Sequence, residues 1–138
     1  MMKNIYEKDI LIIEDNEVAA ETPDYFLKKL GYQNIYACKD GKSGINKFFE
    51  LSSSNSPPLV FLDYYLPDID VISVFDQILK SQPETKIIVA TVAEKDEEDI
   101  IYLTRHGAYH YLQKPFSFES IQSVMNTFNA EAQILEAK

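Results

Sequence analysis

The chain has 138 residues, 46% of them hydrophobic and 25% charged, which is the size and balance of one globular domain with a single buried core. Its formal net charge of −9 disfavours nucleic acid and anionic membrane surfaces as partners, because both select for basic patches and here Lys and Arg are scattered. No apolar run approaches the roughly 20 residues of a membrane span, no secretory leader is evident in MMKNIYEKD, and Cys38 is alone, so a cytoplasmic protein without internal disulfides is expected.

From the N-terminus, strand-length apolar runs alternate with stretches of helical period. The strands are expected at Ile10–Ile13, Ile35–Cys38, Leu59–Leu62, Lys86–Ala90 and Tyr109–Leu112. ILII, LVFL and IIVA are continuously apolar, the pattern of parallel strands covered on both faces.

The first helix is expected over 16–30, with Val18, Thr22, Phe26 and Leu30 on one stripe and Gly31 as its stop. Pro23 interrupts it, and the spacing favours a kink there over a helix that begins at Pro23 with Thr22 as cap. A second helix, over 42–51, carries Ile45, Phe48, Phe49 and Leu51. The following SSSNSPP, Ser52 to Pro58, reads as a solvated connection rather than a partner-binding loop. Helices over 71–80, with Val71, Val74, Phe75, Ile78 and Leu79, and over 96–106, with Ile100, Ile101 and Leu103 before Gly107, follow. The last runs from Phe118 with Ile121, Val124, Met125, Phe128 and Ala132. Strand–helix units repeated in this way make an α/β open parallel sheet with helices on both faces.

In such sheets ligands bind beyond the carboxyl ends of the strands. Glu14 and Asp15 follow the first strand, Asp63 the third, and Lys114–Pro115–Phe116 the fifth, while Thr91 ends the fourth. Three carboxylates at one edge repel one another unless a cation intervenes. Mg2+, a hard ion taking oxygen ligands, suits them. With Lys114 it would offset the charge of a phosphoryl group arriving at Asp63, and a carboxylate nucleophile would yield an acyl phosphate.

Taken alone, each residue has an ordinary reading. Glu14 and Asp15 could offset a helix dipole, Thr91 could cap a loop, Tyr111 could be a half-buried strand residue and Lys114 a solvated charge. His106 and His110 lack neighbours suited to a metal and read as surface or packing residues, and Cys38 reads as a small buried strand residue. No GxGxxG follows the first strand, and EDNE there would repel a flavin phosphate, which disfavours dinucleotide and flavin carriers. An aspartyl-nucleophile phosphatase usually has a second aspartate where this chain has Tyr65.

Together, the acidic pair, Asp63 in LDYYLPDID, Thr91 and QKPF resemble the receiver domain of bacterial response regulators over roughly residues 9–130. The resemblance implies a flavodoxin-like sheet of order 2-1-3-4-5 and a single receiver domain spanning 1–138, its last helix extended to about 137, whether stand-alone or part of a longer regulator. It implies Asp63 as phosphoacceptor, with Mg2+ on Glu14, Asp15, Asp63 and the Tyr65 carbonyl. Thr91 and Lys114 would contact the phosphoryl oxygens, the Lys114–Pro115 peptide would be cis, and Tyr111 would be the switch aromatic. Such a domain is a signalling phosphoacceptor rather than an enzyme acting on a separate substrate. Its donor would be a histidine kinase, a phosphotransfer protein or a small phosphodonor. A second copy or a downstream protein would bind the surface of the fourth helix, fifth strand and fifth helix. A receiver used as an interaction module without phosphorylation is the alternative. Val71 stands where the family usually has Gly, Val92 where it has a smaller residue, and Tyr65 is bulkier than common, which bears on rates and partner choice.

Overall fold

A computed structural model describes residues 4–53, 56–92 and 97–137, without the side chains of 97 and 134–137. Five parallel strands form one sheet: β1 (Ile10–Ile13), β2 (Ile35–Cys38), β3 (Leu59–Asp63), β4 (Ile87–Thr91) and β5 (His110–Gln113). Their order is β2-β1-β3-β4-β5. The helices are α1 (Glu17–Lys29), α2 (Gly41–Ser52), α3 (Val71–Ser81), α4 (Glu97–Arg105) and α5 (Phe118–Ala137). No helix among the described residues is long and apolar enough to cross a membrane.

The three continuously apolar runs are the three inner strands, and β1, β3 and β4 are buried along their whole length. Alternate residues of each strand feed two cores. Leu11, Ile13, Val60, Leu62, Ile87 and Val89 meet Phe48 of α2, Val74, Phe75 and Ile78 of α3, and Leu103 of α4. Ile10, Ile12, Leu59, Phe61 and Ile88 meet Leu27 of α1 and Ile121, Val124 and Met125 of α5. The outer strands β2 and β5 are only partly covered, and Cys38 on β2 is half-buried rather than buried.

The first helix keeps most of the stripe read from its sequence, with Phe26 and Leu30 packed against the second core. It does begin before Pro23, at Glu17, because the Asn16 side chain accepts a hydrogen bond from the Ala19 amide and caps it. Pro23 sits inside α1, where it is buried beside Leu27 and leaves the Ala19 carbonyl without its i+4 donor. Val18, however, is 73% exposed, since the face turned to the sheet is that of Pro23 and Leu27. Phe49 and Ile101 are likewise exposed. Gly31 and Gly107 adopt positive φ, 109° and 102°, just past the ends of α1 and α4, as their role as stops requires.

Ser54 and Asn55 of the serine-rich stretch lie outside the described residues, as do residues 93–96 before α4. The adjoining Ser56 and Pro57 accept hydrogen bonds from the Lys8 ammonium at 3.4 and 2.7 Å.

Candidate functional site

Strand register decides what meets at the carboxyl edge. Ile13 is level with Leu62, and Asp63 with Ala90, while Thr91 is level with Gln113. The ladder continues one residue further at each strand: Glu14 N donates to Cys38 O (2.9 Å), Tyr64 N to Ala90 O (2.9 Å), and Lys114 N to Thr91 O (2.7 Å). Glu14, Asp63, Thr91 and Lys114 are therefore held by sheet hydrogen bonds rather than by loops.

Glu14 and Asp63 are buried, and Asp15 is exposed at the mouth of the site. One carboxylate oxygen from each lies within 4.8 Å of the others, close enough to share a single cation. An all-oxygen, all-anionic donor set of this kind fits a hard divalent ion. Lys114 enters from β5, its ammonium 2.9 Å from Asp63 Oδ1 and also paired with Glu14 Oε1. The Lys114–Pro115 peptide is cis.

Burial pushes the Glu14 carboxyl above its usual range; hydrogen bonding with Asp63 adds to that, and Lys114 offsets it only in part. Burial alone would lower the pKa of Lys114, yet its hydrogen bonds to Glu14 and Asp63 raise it, so the ammonium is firmly charged. Two buried carboxylates thus share one half-buried cation, and the site has room in its charge balance for another.

Thr91 is buried, and its hydroxyl donates to Val92 O at 3.1 Å. Tyr111, half-buried on β5, turns its hydroxyl toward α4, 2.9 Å from Thr104 Oγ1 and 3.4 Å from Ile100 O. Val92 lines a cavity of about 300 Å3 together with Ala19, Thr22, Lys114, Pro115 and Phe116, so it stands on the approach to Lys114. Tyr65 is exposed and packs edge-on against Tyr64. Val71, where glycine was expected, is the buried first residue of α3, capped by the Asp70 side chain. His106 stacks on Tyr102, and His110 meets Tyr109 edge-on; both are exposed and remote from the carboxylates.

Three contributors were not evident in the sequence. Asn16 donates its backbone N–H to Glu14 Oε2 at 3.3 Å, steadying that carboxylate while its side chain caps α1. Tyr64 sends its hydroxyl to Asp99 of α4. Asp68 accepts two amides from the start of α2. Asn16 was legible in principle as a cap residue just before an apolar-periodic segment.

Comparison with known proteins identifies the family and the fold. Residues 10–126 match the model of the response regulator receiver domain. The chain is 30% identical over 131 residues to the Probable C4-dicarboxylate response regulator DctR of Bacillus subtilis, covering 95% of this chain and 56% of that protein. It is 29% identical over 132 residues to the Osmosensing histidine protein kinase SLN1 of Saccharomyces cerevisiae, covering 95% of this chain and 11% of that one. The chain thus spans about half the length, or less, of these curated relatives. A response regulator receiver domain protein from Clostridium thermocellum superposes with a TM-score of 0.80 at 22% identity, over 93% of this chain and 98% of that one, and supports the fold. With the family match extending over most of the chain and the acidic edge built as described, the chain belongs to the response regulator receiver domain family of two-component systems.

Proposed function

We propose that this domain takes a phosphoryl group onto Asp63 from a histidine kinase, a phosphotransfer protein or a small phosphodonor. The observation that carries the reading is the convergence of Glu14, Asp15 and Asp63 within 4.8 Å, with the Lys114 ammonium 2.9 Å from Asp63 Oδ1. An Asp63 carboxylate oxygen bonds to phosphorus as the donor's P–N or P–O bond breaks, and the leaving group carries away the electron pair. Glu14, Asp15, Asp63 and the Tyr65 carbonyl would hold Mg2+, which when bound supplies charge compensation for the phosphoryl oxygens. Lys114 moves from neutralising Asp63 to binding a phosphoryl oxygen. Thr91 ends the neighbouring strand and exchanges its bond to Val92 O for another.

Transmission follows from that exchange. When Thr91 closes on the phosphoryl group, space opens for Tyr111, whose hydroxyl must then leave Thr104 and Ile100 of α4. The surface of α4, β5 and α5 is remodelled, and a second copy or downstream protein reads it. Val92 and Tyr65, both exposed beside the site, set the access of the donor and of hydrolytic water.

The test is intact mass after incubation with acetyl phosphate and Mg2+. Wild type should gain one phosphoryl group and Asp63→Asn none. Equal yield in the variant would place the acceptor elsewhere. A wild type left unmodified by acetyl phosphate and by kinases would make the domain an interaction module without phosphorylation. Asp15→Ala should abolish saturable Mg2+ binding, and unchanged binding would move the metal away from this edge.

A further inference from the structure

The loop from Tyr64 to Asp70 must present the Tyr65 carbonyl beside Asp63, yet Tyr65 itself is exposed and its amide reaches Asp63 Oδ1 only at 3.3 Å. Further along, Asp68 ties the loop to a different element. Its Oδ1 accepts the Gly41 amide at 2.8 Å and its Oδ2 the Lys42 amide at 2.9 Å, the first two N–H groups of α2.

That helix start already has a cap of its own. Asp40 accepts the Ser43 amide at 2.7 Å. Asp68 adds a second carboxylate at the same helix end, and repulsion between the two works against, without overcoming, the Ser43 hydrogen bonds that hold Asp40 below its ordinary pKa. One carboxylate offsets the helix dipole, and the second adds mutual repulsion to whatever amides it satisfies. What Asp68 adds that Asp40 cannot is a connection across 27 residues, between α2 and the segment that follows Asp63. Gly41 is shaped for that connection: a Cβ there would lie 3.0 Å from Val74 Cγ2, 3.2 Å from Ile69 Cβ and 3.3 Å from Asp68 Oδ1. The loop is seated directly on the backbone of α2.

We propose that Asp68 is a positioning residue for the phosphoryl-transfer site, clamping the loop onto α2 so that the Tyr65 carbonyl stays in register with Asp63. This rests on the reading of the acidic edge as a Mg2+ site. Residues that orient metal ligands without touching the metal typically influence affinity strongly, because each ligand's own freedom opposes binding.

Two caps on one helix provide the control. Asp68→Ala and Asp40→Ala each remove a carboxylate from the start of α2, and both should lower the urea midpoint. Only Asp68→Ala should weaken Mg2+, by roughly tenfold, because only Asp68 holds the loop. Asp40→Ala should leave Mg2+ affinity within about twofold of wild type, as expected for a residue that touches neither metal nor loop. Amide hydrogen exchange over 64–66 should quicken in Asp68→Ala and not in Asp40→Ala. Asp68→Asn, which keeps one acceptor oxygen, should fall between and serves if the alanine variant does not fold. Wild-type Mg2+ affinity and exchange in the Asp68 variants, with a lowered midpoint, would make Asp68 a second cap and nothing more. A wild type that binds no Mg2+ would overturn the metal reading itself, and exchange at 64–66 would still distinguish a clamp from a cap.

Discussion

The Tyr64 hydroxyl donates a 2.7 Å hydrogen bond to Asp99 Oδ2, joining the residue after Asp63 to α4. That helix buries only Leu103 fully among its described side chains, so tyrosine hydroxyls supply much of its attachment. Tyr102 of α4 donates to Asp76 Oδ2 of α3 at 2.7 Å, and Tyr111 of β5 meets Thr104 at 2.9 Å. A helix fixed through a few polar contacts can shift when one is exchanged, whereas one buried along a whole face cannot.

Tyr64→Phe keeps the buried ring and removes the bond. We expect a loss of about 1–2 kcal/mol by urea unfolding, the lower part of the range for hydrogen bonds to a charged group, since Asp99 is partly solvated. Amide exchange in α4 should rise with it. A double-mutant cycle with Asp99→Ala should return a coupling of similar size, and additive costs would mean that the bond contributes nothing in solution.

Thr91 and Tyr111 are expected to be coupled through space rather than through a shared bond. In wild type, beryllofluoride with Mg2+ should move NMR signals around Asp63, at Tyr111 and across 98–105. In Thr91→Ala the first set should still move and the other two should not. An undiminished response at Tyr111 in the variant would route the switch through another residue, with Tyr64 and Asp99 the next pair to test.

Gly44 allows α2 to lie against β1 at Ile13, the residue before Glu14. A Cβ on Gly44 would come 2.6 Å from Ile13 Cδ1 and 2.8 Å from its Cγ1. Alanine improves helix propensity by about 1 kcal/mol, but overpacking of a filled core costs about 1–3 kcal/mol. With contacts this short the steric cost should win, so Gly44→Ala should lower the thermal midpoint. A raised midpoint would show that Ile13 can rotate aside freely.

Asp40 and Asp68 bear on acid stability in the same direction. Hydrogen bonding from Ser43 holds Asp40 below its ordinary value of 3.8. For Asp68, desolvation works upward, but the amides of Lys42 and Gly41 hold it below 3.8 as well. A carboxylate with a depressed folded-state pKa contributes stability above its unfolded pKa and loses it as pH falls through the folded one. Wild type should therefore lose stability on acidification below about pH 4. Asp40→Asn and Asp68→Asn should each flatten that part of the profile, and an unaltered slope would assign the acid sensitivity to other carboxylates.

The inner strands were legible because burial on both faces leaves a continuous apolar run, as in ILII, LVFL and IIVA, too short for an independent helix. The reacting edge was legible for a related reason. Parallel strands all point the same way, so residues that follow them in sequence are gathered in space, and Glu14, Asp15, Asp63, Thr91 and Lys114 could be grouped before any distance was known. Side-chain facing was less so. Val18 fits a four-residue stripe whose Phe26 and Leu30 do reach the core, yet is itself 73% exposed, because periodicity does not say where along a helix its stripe leaves the sheet. The contacts that tie the site to the rest of the molecule, Asp68 to Gly41 and Lys42 across 27 and 26 residues and Tyr64 to Asp99 across 35, were decided by tertiary structure alone. A polar side chain's partner depends on where the fold brings another chain segment, and nothing in local spacing encodes that meeting.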